Sequence, residues 1–267
     1  MQKHSLNKLI QLSLLLFFFI PGTVSAAKDT RYALVIGNAS YANAPLANPL
    51  NDAQDIAQKL KLLNFEVDMY LDIGKNNLPK VIAKFYNRIN DRDAVSIFYY
   101  AGHAIQSNNN NYLIPVDSII KNLQSLESEA YSFNQLLGNM HMARSRTNIV
   151  ILDACRNNPF TDPGTDNTPP PNSGLAPIDA PPGTFIAYAT EPGKVAKDGS
   201  GRNGTYTKYL LKYLDLPVGI EKMFKTVRAA VMQETGNHQV PWEHSSLYRD
   251  FLFKRDEASE VPNLPSF

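Results

Sequence analysis

Short, strand-forming apolar runs alternate along this chain with longer segments of helical periodicity. Several of the runs, such as Asn148 to Leu152, are apolar at almost every position, and a strand of that kind must be covered on both faces. The predicted strands are Tyr32 to Ile36, Phe65 to Leu71, Ala94 to Tyr100, Asn148 to Leu152 and Thr184 to Ala189. Alternation of this type indicates βαβ units, and therefore an α/β fold with one doubly wound, mainly parallel sheet and helices on both faces.

The segments between and after these strands predict the helices. They are Asn51 to Leu63, Leu78 to Ile89, Phe133 to Ala143, Tyr206 to Leu214 and Ile220 to Glu234. A last apolar run, Leu247 to Phe253, is interpreted as an edge strand, which would make the sheet six-stranded. No internal repeat is found.

The N-terminus has the organisation of an export signal. Lys3 and Lys8 precede an apolar stretch over residues 9–20, and the small residues Val24, Ser25 and Ala26 follow it. The apolar stretch is shorter than the roughly 20 residues that a membrane span needs. We therefore predict a cleaved signal over residues 1–26, a periplasmic or secreted protein and no transmembrane span after cleavage, with an uncleaved anchor as the alternative.

The charge balance argues against nucleic acid as a partner. The 267 residues include 26 Lys and Arg against 25 Asp and Glu, and removal of residues 1–26 takes away two lysines and no acid. The net charge then changes from +1 to −1, whereas nucleic-acid-binding domains carry a basic excess. Partners are therefore expected to be recognised locally.

A proline-rich stretch divides the remaining chain. Residues 159–183 are rich in proline, glycine, Asp and Asn and cannot form regular structure. We interpret them as a flexible linker between a larger part, residues 27–158, and a smaller part, residues 184–254, of one domain, with a plain surface loop as the alternative. Residues 255–267 are predicted to be a tail.

Two residues with nucleophilic and acid–base chemistry follow the ends of predicted strands. His103 comes after the strand that ends at Tyr100, and Cys155 after the strand that ends at Leu152. The carboxyl ends of parallel strands form the rim where open α/β sheets bind ligands, so the two side chains are predicted to meet there. A His beside a Cys lowers the pKa of the thiol and can return a proton to a leaving amine. The alternatives are a structural histidine and a cysteine that is buried and inert or forms an intermolecular disulfide.

The segments around these residues resemble the catalytic segments of the caspase-like cysteine peptidases, most closely those of the bacterial metacaspase-like and orthocaspase-like branch. The resemblance covers nearly the whole chain after residue 26. Its segments are Ile36 to Tyr41, Asn48 to Ala53, Phe98 to Ala104, Asn111 to Asp117, Ile151 to Pro159, Gly183 to Thr190, Asp198 to Tyr206 and Gln239 to Glu243. His103 precedes Cys155 by 52 positions (155 − 103), close to the spacing of about 50 in caspases.

The residues beside Cys155 depart from the caspase pattern. Caspases have Gln two positions before the nucleophile and Gly two after it, whereas this chain has Asp153 and Asn157. In metacaspases, the Asp at that position and one from an Asn-Asp-Ala motif line a pocket for Arg or Lys, so the resemblance assigns Asp153 and Asp52 to substrate binding. Two carboxylates attract a guanidinium and repel an aspartate. The alternatives are a helix N-terminal acid for Asp52 and a loop-fixing carboxylate for Asp153.

The resemblance also implies an oxyanion hole and an activity. The family uses the backbone N–H groups of the cysteine and of the residue after the histidine, here Cys155 and Ala104. The chain is therefore predicted to be a cysteine-type endopeptidase that acts on proteins or peptides with Arg or Lys before the cut. The alternatives are a non-catalytic caspase-fold interaction module of the cell envelope and a related transpeptidase that transfers acyl groups to amines.

No cofactor or metal is predicted. The Gly199 to Gly204 motif lacks the strand and tight turn of a dinucleotide site, and His141, His238 and His244 lack zinc-ligand spacing. Asp117, Glu127 and Glu129 lie where some metacaspases bind calcium but form no dense ligand loop, so calcium activation stays open. The resemblance implies self-cleavage in the segment after the catalytic cysteine, but residues 157–193 contain no Lys or Arg, so we predict either a chain that works uncut or one cut after Lys194, Lys197 or Arg202.

Overall fold

The computed structural model describes residues 29–120, 123–155, 175–191 and 201–254, and at Cys155 the description covers the backbone. The strands are β1 (Thr30–Gly37), β2 (Glu66–Leu71), β3 (Ala94–Ser107), β4 (Asn110–Leu113), β5 (Tyr131–Ser132), β6 (Thr147–Cys155), β7 (Thr184–Tyr188) and β8 (Trp242–Ser245). The helices are α1 (Pro49–Leu62), α2 (Leu78–Ile89), α3 (Leu123–Glu129), α4 (Phe133–Met142), α5 (Thr205–Tyr213) and α6 (Ile220–Thr235).

Six strands form the main sheet in the order β2-β1-β3-β6-β7-β8. The first five are parallel, and β8 is antiparallel to β7 at the edge. Buried residues of α1, α5 and α6 pack on one face of the sheet, and those of α2 and α4 pack on the other. The prediction of a doubly wound, mainly parallel α/β sheet with helices on both faces is confirmed.

The edge strand predicted at Leu247 to Phe253 is wrong, because this segment forms no strand and β8 occupies the edge. Phe251 and Phe253 are buried in the core instead, which explains why this segment is apolar. The Arg31 guanidinium donates hydrogen bonds to the carbonyl oxygens of Leu252 and Phe253, at 3.2 and 2.7 Å. The segment is therefore fixed to the core by a side chain rather than by a neighbouring strand.

Strands β3 and β6 both extend beyond their predicted ends, and this changes the setting of the two candidate catalytic residues. The end of β3 turns into a hairpin with β4, in which residues 104–107 pair with residues 110–113. His103 consequently lies inside β3, and Cys155 is the last residue of β6, rather than in turns after these strands. The hairpin was not predicted because Ser107 to Asn111 is polar and lacks the alternation of a buried strand.

Several sequence predictions concern residues outside those described. They are the export signal over 1–26, the first part of the linker, 159–174, and the tail 255–267. Residues 175–183, the rest of the linker, contain no helix or strand. Within the ranges that the structure covers, no helix combines the length and the apolar character that crossing a membrane requires.

Candidate active site

The sheet brings the backbones of His103 and Cys155 side by side. Strands β3 and β6 are parallel neighbours, and their pairing register runs from Val95 opposite Thr147 to His103 opposite Cys155. The two residues therefore occupy paired positions where β6 ends. This agrees with the predicted meeting point at the carboxyl ends of the strands, although His103 reaches it from within a strand.

Two tyrosine hydroxyls fix the backbone of His103. The His103 N–H donates to the Tyr41 hydroxyl at 3.0 Å, and the Tyr100 hydroxyl donates to the His103 carbonyl oxygen at 2.8 Å. The Tyr41 ring also lies against the imidazole, with 4.4 Å between the ring centroids. Burial raises the pKa of Tyr41 and of Tyr100 well above the usual range, so both hydroxyls stay neutral.

The hydrogen bonding of the imidazole defines its tautomer. The side-chain Nε2 of His103 lies 2.8 Å from the carbonyl oxygen of Ala44, and a carbonyl can only accept a hydrogen bond. Nε2 therefore carries the proton, which leaves Nδ1 of the neutral ring as the acceptor. His103 is only 3% exposed, so solvent competes little for either nitrogen. The ring is thus prepared to take a proton at Nδ1.

The residue before His103 must be glycine. The φ of Gly102 is +155°, which other residues rarely adopt. A Cβ at this position would lie 2.8 Å from the Tyr41 hydroxyl oxygen and 2.9 Å from that of Tyr100. A side chain would thus displace the two groups that hold His103.

We predict that Gly102→Ala lowers the free energy of unfolding by about 1–3 kcal/mol, because it adds backbone strain and a clash. Chemical denaturation measures this change. The control is Gly138→Ala in α4, where a Cβ would meet no atom within 4 Å and where alanine favours the helix. Equal free energies of unfolding of the two variants would contradict the requirement for glycine at position 102.

The amide of Ala104 faces the end of β6. The His103 carbonyl oxygen accepts from the N–H of Ile114 at 3.1 Å, so the peptide groups of His103 face β4 together with Tyr41. Successive N–H groups of an extended strand point to opposite edges. The Ala104 N–H therefore points toward the β6 side, where Cys155 is the last residue. This is the orientation that an oxyanion donor next to Cys155 needs.

The two candidate substrate-binding acids both contact the beginning of α5. Asp52, in the first turn of α1 and 3% exposed, accepts a hydrogen bond from the Gly204 N–H at 3.0 Å. Asp153 accepts one from the Thr207 hydroxyl at 2.7 Å. The partial positive charge of a helix N-terminus stabilises ionised carboxylates. The structure thus brings together two acids that are about a hundred positions apart in sequence.

A buried tyrosine lies within the electrostatic field of both acids. Tyr99 is fully buried, and burial raises the pKa of its hydroxyl well above the usual range. The negative charges of Asp52 and Asp153 raise that pKa further. Because Asp52 accepts from Gly204 and Asp153 accepts from Thr207, both at the start of α5, the two acids form one acidic cluster on the α1 and α5 side of the sheet.

The acids considered for calcium are engaged in local contacts. The Glu129 carboxylate accepts from the Lys75 ammonium at 2.7 Å and from the Ile119 N–H at 2.8 Å. Asp117 accepts from the backbone N–H of Lys75 at 2.7 Å. Within the described ranges, no group of three or more His, Cys, Asp or Glu side chains is arranged to hold a metal ion.

The residues that support the site have no distinct signal in the sequence. Tyr41 and Tyr100 were included only as parts of longer motifs, and their contacts with His103 depend on a loop folding back onto β3. Thr207 carried no signal, because its contact with Asp153 joins positions that are 54 residues apart. A Thr near the start of a helix is typical of helix N-termini and does not by itself indicate a contact with a distant carboxylate.

The sequence matches one family model and is similar to two curated mammalian proteins over about half of its length. The family model described as Caspase domain matches residues 30–252. The human mucosa-associated lymphoid tissue lymphoma translocation protein 1 is 30% identical over 131 residues, which are 49% of this chain and 15% of that protein. The mouse homolog of that protein is 31% identical over 131 residues, with the same coverage. This chain thus spans about 15% of the length of these curated relatives.

A solved structure shares the fold. The crystal structure of caspase-1 from Spodoptera frugiperda superposes with a TM-score of 0.62 and covers 87% of this chain and 92% of its own. The sequence identity is 16%, so this similarity concerns the arrangement of helices and strands.

Proposed function

The chain belongs to the caspase-domain family of cysteine peptidases, and on that premise we propose that it is an endopeptidase that cuts after Arg or Lys. The observation that carries the specificity is the acidic cluster of Asp52 and Asp153, which both contact the start of α5, beside the strand end where His103 and Cys155 pair. Its substrates are proteins or peptides that present a basic side chain before the scissile bond. Both the dyad and this specificity belong to the proposal.

The proposed chemistry follows from the positions around Cys155. The thiol of Cys155 loses its proton to His103 Nδ1, and the resulting thiolate attacks the substrate carbonyl carbon. The N–H groups of Ala104 and Cys155 stabilise the negative oxygen that forms. The C–N bond then breaks, and His103 gives its proton to the leaving amine, which leaves a thioester on Cys155. Water, deprotonated by the same imidazole, hydrolyses the thioester and restores the thiol.

The acidic cluster supplies the proposed selectivity. A guanidinium can make charge-assisted hydrogen bonds to carboxylates, each worth about 1.5–3 kcal/mol. Asp153 lies two residues before Cys155 in β6. Residues two positions apart in a strand lie on the same face of the sheet, so position 153 is on the same face as position 155, that of the proposed nucleophile. A substrate aspartate would meet two negative charges and be rejected.

The surroundings of Arg202 disfavour self-cleavage at that residue. Its guanidinium donates two hydrogen bonds of 2.9 Å to Asp55, one turn along α1 from Asp52. Its carbonyl oxygen accepts from the Asn51 amide at 3.1 Å. A peptide group held in this way is not presented for attack, so we expect the chain to work uncut or to be cut after Lys194 or Lys197.

The compartment is part of the proposal. The lysine-flanked apolar stretch over 9–20 and the small residues before Ala27 support export to the periplasm or the exterior. A single cysteine is compatible with an oxidising compartment, because no second thiol exists in this chain to trap it in an intramolecular disulfide.

The test is hydrolysis of matched fluorogenic peptides that differ only in the residue before the cut: Arg, Lys, citrulline or Asp. We expect release after Arg and Lys and little release after citrulline, the neutral isostere of arginine, or after Asp. The matched control is the same protein after treatment with iodoacetamide, which blocks the one cysteine of the chain and should stop release. Each reaction is run with calcium and with a chelator.

The other outcomes separate the alternatives. Release after Asp alone would keep a cysteine peptidase and remove the basic specificity. No release from any peptide, in either metal condition, would favour an interaction module, and transfer of the acyl group to an added amine in place of hydrolysis would indicate a transpeptidase.

A further inference from the structure

The hydroxyl groups of Tyr99 and Thr207 form a hydrogen-bonded chain that ends at the Asp153 carboxylate. The Thr207 side-chain oxygen lies 2.7 Å from Asp153 Oδ2 and 2.6 Å from the Tyr99 hydroxyl oxygen. All three residues belong to different elements, because Tyr99 is in β3, Asp153 in β6 and Thr207 in α5. The contact thus joins the first turn of a helix to two central strands of the sheet.

The direction of these hydrogen bonds follows from the donors available. An ionised carboxylate can only accept, so the single hydroxyl proton of Thr207 points to Asp153. In the contact with Tyr99, the Thr207 oxygen must then be the acceptor and the Tyr99 hydroxyl the donor. Since burial raises the pKa of Tyr99 well above its usual range, this donor keeps its proton. The sequence of donation is Tyr99 to Thr207 to Asp153.

The two hydroxyl-bearing residues of this hydrogen-bonded chain are buried. Thr207 and Tyr99 are both 0% exposed, so water cannot replace either hydroxyl group. Hydrogen bonds that donate to a charged group are stronger than neutral ones, and neighbouring bonds in a chain polarise each other. Two carboxylates in one cluster repel each other, and a fixed donor to one of them offsets part of that repulsion.

We propose that Thr207 is a positioning residue for substrate selection, which holds the Asp153 carboxylate ionised and oriented for the basic side chain of the substrate, with Tyr99 as its own donor. This inference rests on the proposed function, because it assigns a role within the same basic-specific site. Thr207 acts through Asp153 and does not itself take part in the thiol chemistry. Its loss therefore affects binding of the basic side chain and leaves the reactivity of Cys155 intact.

The main test is Thr207→Val, which keeps the shape of the side chain and removes the hydroxyl. With the arginine peptide, we expect KM to rise so that kcat/KM falls by about ten- to a hundredfold, with a smaller change in kcat. The rate of Cys155 alkylation by iodoacetamide should equal that of the unmodified protein. Thr207→Ser, which retains the hydroxyl, should recover most of the activity.

Two further variants keep the result interpretable. Tyr99→Phe removes only the donor to Thr207 and should raise KM by a few-fold. The matched control Thr226→Val removes a hydroxyl that bonds within α6, to the Lys222 carbonyl oxygen, and should change neither KM nor kcat. Thermal unfolding of all variants identifies any that do not fold, in which case Tyr99→Phe provides the test.

The outcomes distinguish this inference from the proposed function. If the unmodified protein cuts after Arg and Lys, and Thr207→Val has the same KM or Thr207→Ser is as impaired as Thr207→Val, the role of Thr207 is wrong and the function stands. An equal fall in alkylation rate and in kcat/KM would likewise overturn it, since that indicates general disruption. If the unmodified protein does not cut after a basic residue, the proposed function fails and the inference fails with it.

Discussion

Cys155→Ala is expected to abolish peptide hydrolysis, with kcat for the arginine peptide lower by on the order of 10⁴-fold or more. No other residue of the chain can form the thioester, because Cys155 is its one thiol. The fold should survive, because alanine removes only the sulfur atom from the last residue of β6. The measurement is single-turnover hydrolysis, with equal circular dichroism spectra as the check on folding.

His103→Gln is expected to have an effect of similar size, about 10³- to 10⁴-fold in kcat, because glutamine cannot take a proton from the thiol. It should also slow alkylation of Cys155 near neutral pH, since the paired imidazole favours the thiolate. The control is His238→Gln, an exposed histidine after α6, which should behave like the unmodified protein. Rapid hydrolysis by either dyad variant would contradict the assignment of the dyad.

The second large effect is expected from the acidic cluster. Asp153→Asn should lower kcat/KM for the arginine peptide by about 10²-fold, mainly through KM, and Asp52→Asn should act in the same direction. Asparagine keeps an oxygen that can accept from Thr207 or Gly204, so the change isolates the charge. The loss is large because the guanidinium is then held by one carboxylate instead of two, with one compensating charge fewer.

The peptide pair of arginine and citrulline provides the sharpest measurement of this charge effect. In the two asparagine variants, the ratio of kcat/KM for arginine to that for citrulline should fall, whereas Asp179→Asn, a change at an exposed acid, should leave the ratio unchanged. A ratio unaffected by Asp52→Asn and Asp153→Asn would mean that the two carboxylates do not select the substrate.

The layout of the sheet was predictable because the signals were local. Each buried strand of the main parallel set is a nearly continuous apolar run, and α2 was predicted at its observed ends, Leu78 to Ile89. The meeting of His103 and Cys155 at one rim of the sheet also followed, since parallel strands end at the same edge, and the structure adds that the two residues are paired in register. The family resemblance placed Asp52 and Asp153 together, and the structure shows both in one cluster at the start of α5.

The parts that were not predictable depend on contacts between distant segments. The turn of the β3–β4 hairpin, Ser107 to Asn111, is polar and gives no sign that the strand continues, so His103 was placed in a turn. Leu247 to Phe253 was predicted as a strand because it is an apolar run, yet its phenylalanines are buried in the core without forming a strand. The hydroxyl groups of Tyr41, Tyr100 and Thr207 had no local signal at all.

The most direct test of the central claim is covalent labelling of the active site. Two peptidyl acyloxymethyl ketones that differ only in an Arg or an Asp next to the reactive group are incubated with the protein, and the adduct is located by mass mapping. We expect the arginine probe to modify Cys155 at a rate that falls in His103→Gln and in Asp153→Asn, and the aspartate probe not to react. Labelling by the aspartate probe alone, or an arginine adduct at a residue other than Cys155, would contradict it.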